Sequence, residues 1–191
     1  MKNLACFVLL LTVGIIGGCG GSGTSQPAPS PTTPSVPQVG HVILLLEENH
    51  SYSTVIGNPA MPFLNSLATK GGLATNYFAN SHPSIGNYFM LTTGQMITQD
   101  DNSTSTVDAD NIVHEILASG KTWKSYAESL PSVGYTGDDV FPYLEHHNPL
   151  SYFSDVRNSS VQVNNLVPFT QLSTDFGEQP ITQFFLHCAE C

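Results

Sequence analysis

Asn80-Ser81-His82-Pro83-Ser84-Ile85-Gly86-Asn87-Tyr88 is the stretch on which the reading of the fold turns. The apolar run before it, Leu73 to Phe78, predicts a strand, and the run after it, Ser84 to Thr93, predicts a helix stopped at Gly94. A serine at a strand-to-helix turn lies near unpaired backbone N–H groups and the positive end of the helix dipole. That position suits an N-cap. It also suits a phosphate and a nucleophile that attacks one. Both readings of Ser84 stand on this stretch alone.

Outward from it the same alternation continues. His41 to Leu46 is a continuous apolar run, the pattern of a strand buried on both faces, and it stops at Glu47-Glu48-Asn49. Ala60 to Lys70 carries apolar residues at helical spacing and ends at Gly71-Gly72. Gln95 to Val107 is polar and reads as a loop; Asp110 to Ser119 reads as a helix ended by Gly120. Thr122 to Ala127 predicts a third strand, Leu130 to Ser151 a long irregular segment, Val167 to Phe176 a helix and Ile181 to Leu186 a fourth strand. Alternating strands and helices predict an α/β fold with a mainly parallel sheet flanked by helices. Right-handed crossovers then bring the loops after the strands to one edge, where ligands bind in open α/β sheets. Glu48-Asn49 and Ser84 become neighbours in that arrangement.

The chain has 191 residues, 40% of them apolar, which allows one domain with a core. Its formal charge is −10, from 15 acidic and 5 basic residues. With no basic cluster to offset phosphate repulsion, nucleic acid is excluded as a partner. An anionic substrate would need a cation or helix N-termini for its positive charge.

Residues 1–18 read as an export signal: Lys2 is the n-region, and Leu4 to Ile16 is too short to span a bilayer. Ile16-Gly17-Gly18-Cys19 resembles a lipobox, with Cys19 as the lipid attachment site; an ordinary secretory cleavage site is the other reading. Acyl chains on Cys19 would anchor the protein to the membrane of a bacterial cell envelope. Cleavage would remove Lys2 and leave a formal charge of −11. Residues 19–38 are rich in Gly, Ser, Thr and Pro, a tether unable to bury a core. The folded domain is expected over residues 39–191. Cys188 and Cys191 form a terminal C-x-x-C with no second pair to complete a zinc site, an incidental pair or an export-compartment disulfide.

The two loops suggest a common chemistry. Glu48, helped by the Asn49 amide oxygen, could ligate a divalent cation, or the pair forms a solvated turn. A metal beside Ser84 would lower the barrier to hydroxyl attack and polarise a phosphoryl oxygen. Asn87, at i+3 from Ser84, shares its helix face and is placed to donate to a phosphoryl oxygen, or simply faces solvent.

The segment His41-Val42-Ile43-Leu44-Leu45-Leu46-Glu47-Glu48-Asn49-His50-Ser51-Tyr52 resembles the opening strand and metal loop of a bacterial phosphoesterase family that includes acid phosphatases and phosphatidylcholine-type phospholipase C. Ser81-His82-Pro83-Ser84-Ile85-Gly86-Asn87-Tyr88 resembles its nucleophile segment. Lys121 to Glu128, His147-Asn148-Pro149 and Val167 to Leu172 also resemble its acid-phosphatase branch, in order. The family is similar to the alkaline phosphatase superfamily. The resemblance implies a three-layer core and a metal-dependent hydrolase of phosphate monoesters or diesters, phospholipid headgroups among them. It implies Ser84 as the nucleophile, Glu48, Asn49 and Ser84 as ligands of a divalent metal ion, Asn87 as a phosphate-binding residue and His147 as a residue of the substrate-side loop. His50, His114 and His146 gain no role from it.

Beyond the fourth strand the family continues with Asn-, Asp- and His-rich segments that supply further ligands. Leu186-His187-Cys188-Ala189-Glu190-Cys191 departs from that pattern, which leads us to expect a truncated or frame-shifted member with an exposed sheet edge. Two other readings follow: an inactive surface lipoprotein that keeps the fold, and a serine acyl esterase with His147 as the base of Ser84. The second lacks the Gly-x-Ser-x-Gly elbow.

Overall fold

The computed structural model describes residues 39–178 and 184–189. The signal, Cys19, the tether and the terminal Glu190 and Cys191 lie outside them. In chain order the elements are β1 (Val42–Glu47), α1 (Tyr52–Val55), α2 (Pro62–Lys70), α3 (Ile85–Thr93), α4 (Ile112–Ala118), β2 (Lys124–Ala127), α5 (Ser154–Arg157), β3 (Leu166–Pro168), α6 (Leu172–Glu178) and β4 (Phe184–Ala189). Short 3-10 turns lie between them, among them Glu145–His147 and Pro149–Tyr152.

The sheet is parallel, in the order β1-β4-β2-β3. Val42 is in register with Phe184, Lys124 with Phe185 and Ser125 with Leu166. This is the expected α/β architecture, with β4, distant in sequence, threaded between β1 and β2. Parallel neighbours need crossovers, and the helices supply them.

Local chemistry sets the helix ends. Pro62 opens α2, where its missing N–H costs nothing, and Lys70 sits in the last turn against the negative end of the dipole. The Asn111 side chain accepts from the backbone N–H groups of Val113 and His114 and so caps α4. Gly94, at φ 72°, ends α3 in the left-handed conformation and returns its N–H to the Met90 carbonyl.

Successive residues of β2 and β3 serve opposite faces of the sheet. Ala127 and Leu166 join the larger core, with Ile85, Phe89, Trp123, Leu150 and Phe153. Tyr126 and Val167 pack on the other face against Phe169 and Leu172. The Phe89 ring meets Tyr152 edge-on, at 5.5 Å and 87°. Helix α3 is therefore pinned by its buried face, and this fixes where Ser84 sits.

Three expectations are corrected. Leu73 to Phe78 forms no strand, because Thr75-Asn76 make a turn inside the run and leave it as an exposed loop. The remaining strand is Leu166–Pro168, where one helix was expected from Val167; Pro168 ends it and α6 begins only at Leu172. Strand β1 is not buried on both faces. Leu44 and Leu46 pack on the core, while Val42, Ile43 and Leu45 are 48%, 54% and 52% exposed at the edge of the described sheet.

Candidate active site

Strand β1 delivers Glu48 to the carboxyl end of the sheet, directly after its last residue. Asn49 follows at φ 62°, a left-handed conformation that Asn tolerates better than most side chains and that turns the chain away from the strand direction. Across the gap, α3 presents Ser84 at its N-terminus. The Ser84 hydroxyl donates to Glu48 Oε2 at 2.9 Å. The other carboxylate oxygen, Oε1, lies 2.8 Å from His147 Nε2, with the two side chains 20% and 12% exposed. One carboxylate thus bridges a hydroxyl and an imidazole, each contributed by a different loop.

Burial of Glu48 pushes its carboxyl pKa up, but the His147 hydrogen bond and charge, with the Ser84 and Tyr88 hydroxyls, outweigh it. The net effect holds the group below the ordinary value and favours its ionised form. His147 is steadied by ring contacts with Tyr88 at 5.9 Å and His146 at 4.3 Å. Burial and the neighbouring His147 push the His146 pKa down.

Ser84 occupies the capping position of α3 without using its side chain for it. The Ile85 N–H is instead taken by Asp101 Oδ1 at 2.9 Å. The cap reading of the Ser84 hydroxyl is thereby replaced: Asp101 satisfies the helix, and the hydroxyl is turned to Glu48.

Asn87, the expected phosphate-binding residue, stands beside Ser84 with its amide engaged in the loop before it. Its Oδ1 accepts from the backbone N–H groups of Asn80 and Ser81 at 2.7 and 3.1 Å, and its Nδ2 donates to the Ser81 carbonyl at 2.7 Å. It braces the 80–81 loop against α3. Gly86 makes the same junction possible, because a methyl there would stand 2.6 Å from Ser81 Oγ and 3.2 Å from the Thr98 carbonyl.

Glu48 and Ser84 line two cavities. One, of about 910 Å³, extends past Asn49, Asn87 and Tyr88 toward Tyr77 and Phe78. The other, of about 620 Å³, is lined by Asp101, His146 and His147. Among the described residues neither wall contains Lys or Arg.

Glu48, Asn49 and Ser84 are the residues here that could hold a metal. Their donors are hard oxygens, suited to a divalent cation. The 2.9 Å between Glu48 Oε2 and Ser84 Oγ is near the spacing of adjacent oxygens about a cation with bonds of about 2.1 Å. These three fit part of a coordination shell. Among the described residues no group of three His, Cys, Asp or Glu side chains is gathered to complete one.

Tyr88, which lines the larger cavity, and Asp101 and His146, which line the smaller, were given no role from the sequence. Tyr88 had a signal, since i+4 falls on the face of Ser84. Asp101 had none in the polar loop around it. His50 lines the larger cavity, and His114 is exposed on α4, 2.7 Å from Asp110.

The sequence model of the Phosphoesterase family matches residues 58–181. The chain belongs to the Phosphoesterase family. It is 37% identical over 118 residues to a phosphatidylinositol-3-phosphatase of Mycobacterium tuberculosis, covering 61% of this chain and 40% of that protein. It is 27% identical over 150 residues to a probable acid phosphatase of Kluyveromyces lactis, covering 74% of this chain and 35% of that one. A phosphate-repressible acid phosphatase of Penicillium chrysogenum is 31% identical over 128 residues, 63% of this chain and 31% of that protein. The matched region thus spans less than half the length of these Phosphoesterase-family relatives. No solved structure matches the chain.

Family membership and geometry bear on the acyl-esterase reading together. That mechanism needs an imidazole on the serine hydroxyl. In this phosphoesterase fold His147 contacts Glu48, and the hydroxyl meets a carboxylate.

Proposed function

We propose that this chain carries the nucleophile side of a phosphoesterase site, which hydrolyses phosphate monoesters or diesters through a phosphoserine at Ser84. The observation that carries the proposal is the Ser84 Oγ to Glu48 Oε2 hydrogen bond of 2.9 Å. A serine hydroxyl is a weak nucleophile until a base takes its proton. Glu48 Oε2, within hydrogen-bond reach of the hydroxyl, is placed to take it. Oγ attacks phosphorus, its proton passes to Oε2, and the ester oxygen departs with its electron pair. Water then attacks the phosphoserine, regenerating Ser84 and releasing phosphate or, from a diester, a monoester. His147 holds the carboxylate through Oε1, and Asp101 holds the first turn of α3, so the attacking oxygen is oriented before substrate arrives. Asn87 contributes by fixing the 80–81 loop.

When bound, a divalent metal held by Glu48, Asn49 and Ser84 would polarise the phosphoryl oxygens and acidify the Ser84 hydroxyl, with Glu48 then its ligand in place of the proton acceptor. Among the described residues the cavity walls hold no Lys or Arg, which supports a role for such a cation. We also place the protein in a bacterial envelope, exported and anchored at the membrane through Cys19, with the Ile16-Gly17-Gly18-Cys19 segment as support. Radiolabelled palmitate should enter the wild-type chain and not Cys19→Ala.

Turnover of p-nitrophenyl phosphate by the full chain, with and without added divalent metal, tests the enzymatic reading. Ser84→Ala should abolish it. Unchanged turnover would remove Ser84 from the mechanism, and none in the wild type would leave a lipoprotein that keeps the fold without the chemistry.

A further inference from the structure

Tyr77 and Phe78 belong to an apolar run that strand logic would bury, yet they stand 79% and 76% exposed. Both line the cavity of about 910 Å³ that also contains Ser84. Tyr52, at the start of α1, and Leu91, on α3, complete an apolar wall with them. Other exposed apolar side chains, such as Phe63 on α2, lie outside that lining. A cavity of this size falls within the range of about 300–1,000 Å³ typical of small-molecule sites.

Charge narrows the occupant. Glu47 and Glu48 are in the wall, and no Lys or Arg among the described residues joins them. Away from the cation proposed at Glu48, an anionic group on the alcohol portion would meet the Glu47 carboxylate. An apolar alcohol would instead remove its own surface and that of the aromatic wall from water.

Resting on the phosphoesterase reading above, we propose that the Tyr52, Tyr77, Phe78 and Leu91 wall is a leaving-group subsite. It takes the apolar, uncharged alcohol portion of a phosphate ester whose phosphorus lies at Ser84. The aromatic wall discriminates between esters by what it holds away from the reacting bond.

The test uses the full chain in a Ser84→Ala background, so that binding is read without turnover. The dissociation constants of 1-naphthyl phosphate and glycerol 2-phosphate are measured by titration calorimetry. Naphthyl phosphate should bind at least tenfold more tightly. The Y77A/F78A pair should cut that preference at least fivefold, while F63A keeps it. Equal binding of the two esters, no binding of naphthyl phosphate, or a preference that survives Y77A/F78A would overturn the subsite. Failure of the phosphoesterase reading would show separately, as unchanged p-nitrophenyl phosphate turnover between the wild-type chain and Ser84→Ala.

Discussion

Ser84 and Glu48, 36 residues apart in the chain, share a 2.9 Å hydrogen bond in which the serine hydroxyl donates and the carboxylate accepts. The carboxylate is not free to swing, because His147 holds its second oxygen at 2.8 Å. The order hydroxyl, carboxylate, imidazole makes Glu48 the centre of the site and gives each neighbour a separable consequence.

Glu48→Gln keeps the shape of the side chain and removes its capacity to take the proton from Ser84. We expect kcat to fall by about 100-fold or more, within the range for loss of a general base. Steady-state kinetics with p-nitrophenyl phosphate will show it. Activity within twofold of wild type would assign the base elsewhere.

His147→Ala leaves Glu48 with Ser84 but without its brace. The expected loss in kcat is about 10-fold, smaller than for Glu48→Gln, because the attacking oxygen and its acceptor are both retained. His147→Gln should recover part of it through its amide N–H. A larger loss for His147→Ala than for Glu48→Gln would mean that the imidazole itself handles the reacting proton.

Asp101 holds the first N–H of α3 from a loop 16 residues downstream. Asp101→Ala should lower unfolding free energy by about 1 kcal/mol, the usual worth of a lost helix cap, and Asp101→Asn by less. Urea denaturation followed by tryptophan fluorescence suits this, since Trp123 is buried in the core. Equal stability of Asp101→Ala and wild type would remove the capping role.

Glu145 is 3% exposed, and burial pushes its pKa up to about 7 although Arg157 lies 3.3 Å away. The folded protein therefore holds a proton here that the unfolded chain releases near its ordinary value of 4.5. Stability from this group is fully present below about pH 4.5 and is lost as pH rises through about 7. The shift corresponds to about 3 kcal/mol at about 1.4 kcal/mol per pKa unit. Glu145→Gln should flatten the stability profile across that window, measured by denaturant melts at pH 5 and pH 8. An unaltered profile would place the charge balance elsewhere.

How far the sequence could be read depended on whether a signal was local. Gly71, Gly94 and Gly120 announce helix ends, and α2, α3 and α4 stop just before them. The parallel α/β class follows from alternation in the same way. Leu73 to Phe78 misled because composition favours a strand while the strand partner is a tertiary matter, and Thr75-Asn76 broke the run. Leu166–Pro168 is too short to show any periodicity. At the site, sheet topology was enough to draw Glu48 toward Ser84. The Asp101 contact to Ile85 could not be read, because nothing in the polar loop distinguishes Asp101 from the adjacent Asp100. The engagement of the Asn87 amide by Asn80 and Ser81 likewise depends on how the loop folds back over the helix.

The central claim, that Ser84 becomes phosphorylated during turnover, is tested most directly by trapping the intermediate. The full chain is mixed with p-nitrophenyl phosphate and divalent metal, quenched in acid during turnover, digested and analysed by mass spectrometry. The account predicts a phosphate adduct on the peptide containing Ser84, localised to that residue and missing from Ser84→Ala. Continued turnover with no adduct on Ser84, or an adduct on another residue, would contradict it.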